Sequence, residues 1–556
     1  MKRAEIIQEI EKNPDIDVLI IGAGINGAGT FRDLALNGVN VLLVDREDFC
    51  SGTSATSSHM AHGGIRYLEN GEFRLVREAV TERNRMIENA PHLVQPLPTV
   101  IPIFKIFSGL LNAPLKFLNL LDRPSERGAL VIKIGLMFYD SFTRKQKTVP
   151  RHSFFNRATA LSRYPMLNNT IKYAALYYDG QLLSPERMTV EIILDGEDEG
   201  PHAKALNYVS FVSMENGKAN LLDELTGKSY KVNPKVIINA AGPWVDIVNK
   251  RIGFSDQYIG GTKGSHLVIK NKELRDAVGV SEFFFENNDG RIVLLLPFFE
   301  NVIVGTSDLP IDNPDDARCT VEEENYFLDL IRRVFPTINV KKEDIVFRFS
   351  GVRPLEYMKA KTTGQITRDH SIKNNIVDGK TVLSLVGGKW TSFRAFSEQV
   401  TDMTLSLLNK TRIDSTASLP IRGGKNYPVE KELFYSKLAK KTGLDIDYCE
   451  LLLKRYGAYA EKIAEYIAKK NGTKLKSLEG WTDAEIQYII EVEKPVHLDD
   501  LFLRRSTIGW MGIINPENVY EIANIMGHSR KWSKDQIDKE ILHVKKVFQE
   551  KHSVKI

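Results

Sequence analysis

A short apolar run, Val18 to Ile21, leads straight into Gly22-x-Gly24-x-x-Gly27, and this junction constrains the fold more than any other stretch. An unbroken apolar run of that length reads as a buried parallel strand. The residues after the glycines, with Ala28, Phe31, Leu34 and Ala35 on one face, read as a helix. Gly38 stands where a C-cap glycine belongs. Val39 to Val44 reads as a second strand, closed by Asp45 eighteen residues after Gly27. In such a β-α-β unit the first glycine makes the tight turn and the second lets a pyrophosphate approach the backbone. The third lets helix and strand pack closely. The helix N-terminus then faces the phosphates, and Asp45 holds a ribose hydroxyl.

Both NAD and FAD use this unit. An acid at the end of the second strand argues against a 2′-phosphate. Two features favour FAD. The motif stands at the start of the sequence, where an AMP half would be held. A distant element, Thr381 to Val386 followed by Gly387-Gly388 and a long helical pattern, is suited to capping an isoalloxazine. The N-terminus of that helix would stabilise negative charge on the ring.

The 556-residue chain is 42% hydrophobic and 26% charged, which excludes collagen-like, coiled-coil and wholly disordered classes. Its length predicts two to four domains. Lys+Arg 75 against Asp+Glu 71 leaves +4, too small an excess for a chain-wide nucleic-acid surface. Cys50, Cys319 and Cys449 are far apart and no metal-ligand spacing exists, so a reducing compartment and no metal are expected. No secretory signal and no run of 18 apolar residues is read, so no spanning helix is expected. Residues 205–232 read as a small antiparallel sheet, 257–349 as strand-rich, and Val321 to Val334 as a helix. From about residue 412 the pattern turns helical. Thr482-x-x-Glu485 and Ser533-x-x-Gln536 read as capping boxes, and Ile537, Ile541, Val544 and Phe548 form one apolar face.

Arg353, Arg368 and Lys389 are candidate anion-binding groups, because guanidinium forks match phosphate oxygens. Each alone is as ordinary as a surface ion pair. His62 and His266 are the histidines in the most suggestive surroundings. An imidazole suits the removal of an alcohol proton, although a structural histidine fits either position equally well.

Taken together these segments resemble the FAD-dependent, quinone-linked glycerol-3-phosphate dehydrogenases. The resemblance rests on Asp17-VLIIGAGINGAG, Thr56-SSHMAHGGIRYLE, Asn239-AAGPWV, Lys263-GSH, Gly305-TSD, Phe349-SGVRPL, Ile366-TRD and Val386-GGKWTSFR, which occur in family order from residue 16 to about 410. It implies an α/β (α+β) fold. A glutathione-reductase-type FAD domain (1–90, 175–256, 350–411) would carry an inserted D-amino-acid-oxidase-like substrate domain (91–174, 257–349). Residues 412–556 would form a helical domain. The FAD would be held by Gly22, Gly24, Asn26, Gly27, Asp45, Thr56, Ser57, Ser58, His62, Gly63, Gly64, Gly388 and Thr391. Arg353, Arg368 and Tyr67 match positions that grip substrate phosphate. Lys389, His266 and Thr306 match positions beside the flavin. His266 is the first choice of base and Lys389 the second.

The resemblance implies oxidation of sn-glycerol 3-phosphate to dihydroxyacetone phosphate, by hydride transfer from C2 to flavin N5. Electrons would pass to a membrane quinone. The alternative is an oxidase that produces hydrogen peroxide; an amino-acid oxidase and a dinucleotide-binding regulatory protein are more distant alternatives. Quinone use implies a cytoplasmic protein, peripheral on the inner face of the membrane, and a homodimer stays open. Residues 100–139 are the candidate membrane segment, with Phe104, Phe107, Leu110 and Leu111 on one face and Lys105, Lys116 and Lys133 near headgroups. An ordinary cap segment has the same composition.

Overall fold

The computed structural model describes residues 2–65, 72–106, 128–143, 148–286, 292–357 and 369–556. Two sheets organise them. In the first, Asp15–Ile21 lies centrally, with Val41–Val44 and Ala203–Leu206 to one side. Ser229–Asn239 and Lys380–Val386 lie to the other, all parallel, and Ser371–Val377 closes the edge antiparallel. The first strand starts earlier than its apolar run because Asp15 and Ile16 pair with Asn233 and Pro234. Val18, Leu19 and Ile20 are fully buried, as a strand covered on both faces requires.

The helix Ile25–Leu36 buries Ala28, Phe31, Leu34 and Ala35 as their spacing predicts. It also buries Thr30, Arg32 and Asp33, because Pro185–Asp198 and Phe393–Leu407 flank it. Arg32 pairs with Asp195 at 3.0 Å and Arg412 with Asp33 at 2.9 Å, so the polar residues of this enclosed helix find partners in place of water. Gly38 follows the helix at φ 67°, a left-handed conformation that costs glycine little. Val209–Glu215 and Lys218–Asp223 form the expected antiparallel meander against Ser229–Asn239.

The second sheet has ten strands and runs from Leu309–Pro310 through Thr262–Ile269, Asn301–Gly305, Ile292–Phe298, Glu282–Glu286, Val94–Ile103 and Tyr173–Leu182 to Met60–Ala61. It is antiparallel except where Glu282–Glu286 meets Val94–Ile103. Ile345–Arg353 pairs with Thr262–Ile269. The divisions expected at 175 and 350 therefore fall inside strands of this sheet. A run of β-formers reveals a strand but not which sheet it joins.

The C-terminal region is helical from Lys431–Thr442 to Lys534–His552. Its first part has a core of its own around Leu438, Leu452, Ile463 and Ile467. Its second part shares a core with the second sheet: Trp481, Leu501, Trp510, Val544 and Phe548 pack with Leu97, Phe298 and Phe347. Ser533 and Gln536 form the expected capping box. Thr482 caps the N–H of Glu485, but the Glu485 carboxylate instead accepts from Tyr448, Arg455 and Tyr456. Among the described residues no helix is long and apolar enough to cross a membrane.

Candidate active site

A cavity of about 470 Å³ opens at the carboxyl ends of the parallel strands, the place where open α/β sheets take their ligands. Gly22, Gly24, Asn26, Asp45, Thr56, Gly388 and Lys389 all line it. Gly22 sits at φ 106°, and a Cβ there would lie 2.7 Å from the Ala240 carbonyl oxygen. A Cβ on Gly27 would overlap the carbonyl oxygen of Gly22, so the third glycine sets the closeness of helix and turn. The Asp45 carboxylate accepts from Ala23 N at 2.7 Å and Glu47 N at 3.0 Å. Burial outweighs those bonds and pushes its pKa up to about 7. Asn26 donates to the Gly387 carbonyl at 3.4 Å, while its own Oδ1 is buried without a hydrogen bond. The first β-α-β unit and the distant Gly-Gly turn thus meet, as anticipated.

The loop after Gly52 is tied down on three sides. Ser54 Oγ accepts from Ile25 N at 2.9 Å, and the Trp390 indole donates to the Ser54 carbonyl at 2.9 Å. Thr53 Oγ1 donates to the Val352 carbonyl at 2.7 Å. Further on, Thr391 Oγ1 donates to the His62 carbonyl at 3.1 Å. Gly63 N donates to Asp179 Oδ1 at 2.9 Å and to the Tyr139 hydroxyl at 3.1 Å, and a Cβ on Gly63 would overlap that hydroxyl. Gly64 follows at φ 72°.

The second sheet supplies the candidate reactive side chains. His266, on Thr262–Ile269, is buried and stacks on Phe349 with ring centroids 4.6 Å apart and planes 4° apart. Its Nε2 is 2.8 Å from Ser58 Oγ, and its Nδ1 is buried with no hydrogen bond. A Cβ on Gly305 would overlap the ring, so that strand passes His266 only as glycine. Burial first, then the positive charge of Arg353, holds the imidazole well below its ordinary pKa and so neutral. Arg353, ending Ile345–Arg353, donates from Nη2 to Thr306 Oγ1 at 3.0 Å and the Ser307 carbonyl at 3.1 Å. Its Nη1 donates to Asp308 at 3.1 Å. Behind it, Ser307 Oγ donates to Glu323 Oε1 at 2.5 Å, and Lys263 pairs with Glu323 Oε2 at 2.7 Å.

His266, Arg353, Thr306 and Ser58 are therefore gathered from four chain segments, and Lys389 lines the cavity. Ser58, expected among the FAD residues, is a hydrogen-bond partner of His266. Ser57 lies one residue before it in the same loop. Tyr67 and Arg368 lie outside the described residues, as do Phe107, Leu110, Leu111 and Lys116. Phe104 packs half-buried against the second-sheet core, with the Arg333 guanidinium 5.9 Å from its ring. Asp179, Phe349 and the Lys263–Glu323 pair went unassigned in the sequence. Lys263 and Phe349 stand inside the motifs that carried the resemblance, whereas nothing near Asp179 marks it.

The fold and the glycine cradle define a class, and the family described as FAD dependent oxidoreductase matches residues 17–389. A second family, the C-terminal domain of alpha-glycerophosphate oxidase, matches residues 414–537. The chain is 32% identical over 558 residues to a glycerol-3-phosphate dehydrogenase of Synechocystis sp., covering 95% of this chain and 96% of that one. It is 29% identical to an aerobic glycerol-3-phosphate dehydrogenase of Staphylococcus haemolyticus, covering 97% and 95%. An X-ray structure of the glycerol-3-phosphate dehydrogenase from Bacillus halodurans complexed with FAD has the same fold, with a TM-score of 0.76, 24% identity and coverage of 99% and 97%. The chain belongs to the FAD-dependent glycerol-3-phosphate dehydrogenase family. FAD is its cofactor, and the residues present fit it. The glycine cradle has no room for side chains, and Asn26 Oδ1 is a buried acceptor awaiting a donor.

Proposed function

We propose that the chain oxidises sn-glycerol 3-phosphate to dihydroxyacetone phosphate and passes the electrons to a membrane quinone. The observation that carries this reading is the neutral, buried His266 beside the anchored Arg353. FAD, when bound, supplies the hydride acceptor for the C2 hydrogen. Arg353 binds the phosphate with its plane already fixed by Thr306 and Ser307, so little side-chain freedom is lost on binding. Arg368 and Tyr67 share that grip in this reading. Holding the remote phosphate orients C2, which is where the rate advantage of positioning arises. His266 takes the C2 hydroxyl proton. Its depressed pKa keeps it unprotonated and able to accept at neutral pH. Ser58 fixes the ring through Nε2, and Lys389 adds positive charge near the developing alkoxide.

Membrane contact has separate support. The helix Ala129–Thr143 leaves Leu130, Ile134, Met137 and Phe138 exposed, and Ile106 is exposed as well. An apolar helix face rimmed by lysine suits the headgroup boundary. Since Phe104 is already half-buried, Met137→Glu with Phe138→Glu is the informative pair. Release from lipid vesicles with bound FAD retained is expected, and unchanged partitioning refutes the surface.

The deciding experiment is the visible spectrum of anaerobic protein before and after sn-glycerol 3-phosphate. Bleaching of the flavin bands supports substrate and reaction together. Fast return of colour on readmitting oxygen indicates the oxidase, whereas return only with a quinone analogue indicates the dehydrogenase. A yellow protein that does not bleach discards the substrate.

A further inference from the structure

The cavity lined by Gly22, Gly24 and Asp45 has a second wall that comes from the far end of the chain. His497, Asp499, Arg504, His543, Val547 and Lys551 line it too. His543, Val547 and Lys551 recur every four residues along Lys534–His552, so one stripe of the last helix faces the cavity. The neighbouring stripe, Val544 and Phe548, is fully buried in the core shared with the second sheet. The helix is thereby fixed in rotation as well as position.

What docks this wall lies three residues beyond Asp45. Asp48 is completely buried and receives Arg504 Nε at 2.7 Å, Arg505 Nη1 at 2.7 Å and Arg505 Nη2 at 2.9 Å. Asn207 Nδ2 adds a fourth bond at 2.8 Å. Burial alone would raise the Asp48 pKa, but Arg505 and Arg504 hold it below the usual carboxylate range, so it stays an anion. The cavity residue Tyr208 donates to Asp500 at 2.7 Å. A third piece closes the ring. Arg46 and the Trp244 indole both bond Asp315, at 2.5 and 2.9 Å, and Arg318 of the same segment donates to the Glu550 carbonyl at 3.1 Å.

Simple attachment of a domain would need buried pairs anywhere on the interface. Here they converge on the loop that carries the ribose-holding acid, and the attached helix presents a cation to the same space. We propose that the C-terminal helical domain is part of the FAD site, sealing the nucleotide end of the cavity and governing how long FAD stays bound. This rests on the reading that the cavity is the FAD site.

The test uses the full chain carrying Val547→Asp or Lys551→Glu. Lys551 is exposed, so its change leaves the core closed; Val547 is half-buried and packs against that core, so Lys551→Glu is the variant that separates charge from folding. FAD release is followed by the rise in free-flavin fluorescence after dilution. Negative charge facing the dianionic pyrophosphate is expected to speed release about tenfold, with the effect shrinking at high salt. Arg504→Lys, which loses the fork but keeps the charge, is expected to speed release without adding a negative group. Unchanged release in all three variants, from a wild type that retains FAD, overturns the clamp alone. A wild type that neither holds nor takes up FAD overturns the assignment of the cavity.

Discussion

The two ends of the candidate site, the glycine cradle and the cluster around His266, are built from different materials. In the glycine cradle at the nucleotide end the contacts come from backbone: a glycine turn at φ 106°, the first turn of a helix, and two N–H groups on Asp45. At the end proposed for the reaction they run between side chains: His266 on Ser58 and Phe349, Arg353 on Thr306 and Asp308. A backbone cradle tolerates most changes of side-chain chemistry but no added volume. A side-chain constellation tolerates modest volume changes but not the loss of one polar group. Substitutions at the two ends should therefore fail in different ways.

The largest effect is expected from Gly27→Ala. The new methyl collides with the Gly22 carbonyl, which is backbone and cannot step aside. The purified protein should be colourless and gain no flavin absorbance on adding FAD; a yellow product would show that the turn yields. At the other end, His266→Gln should keep the flavin spectrum and lower kcat by about 10²–10⁴, the usual worth of a positioned base. Near-normal kcat would move the role to Lys389. Arg353→Lys should be milder, raising KM about tenfold with a smaller change in kcat, since an ammonium keeps the charge and loses the fork. An equal fall in kcat would mean that Arg353 also acts on the reacting carbon.

The smallest effect is a pH dependence. Asp45 is raised to about 7 in the fold, so between its ordinary 3.8 and about 7 the folded FAD-free protein holds a proton that the unfolded chain releases. Stability of the FAD-free protein from this group is therefore present at low pH and lost as pH rises through about 7. A ribose hydroxyl prefers the ionised acceptor, so FAD binding should strengthen over the same interval. Asp45→Asn should leave the FAD-free Tm nearer constant across that range and remove the gain in FAD affinity. Parallel Tm curves for the two proteins would contradict the assignment.

How much of each end could be read in the sequence follows from the same contrast. The nucleotide end is nearly contiguous from Val18 to Asp45, so its strand, turn, helix and acid could be placed by spacing alone. The Gly387-Gly388 turn was recognisable as a partner but not as the neighbour of Asn26, a contact made across the sheet. At the proposed reaction end His266, Arg353 and Thr306 are brought together by strand pairing across the second sheet, and Ser58 comes in from the loop before Met60–Ala61. No local period carries that information, and only the resemblance placed most of them together. Asp179, which holds Gly63, and Asp48, which holds the C-terminal domain, escaped because a buried acid looks like any surface acid until its partners are known. The divisions at 175 and 350 missed for a related reason: sheet membership is decided by distant partners.

The shared core beneath the second sheet has a consequence for truncation. Leu97, Phe298, Ile303 and Phe347 share one apolar cluster with Trp481, Leu501, Trp510 and Phe548. A chain cut near residue 411 would carry that sheet face bare, a liability for solubility. The helical region is thus a solvent shield for the sheet as well as a neighbour of the cavity. Phe347 and Trp510, with ring centroids 4.9 Å apart, should be energetically coupled across that seam.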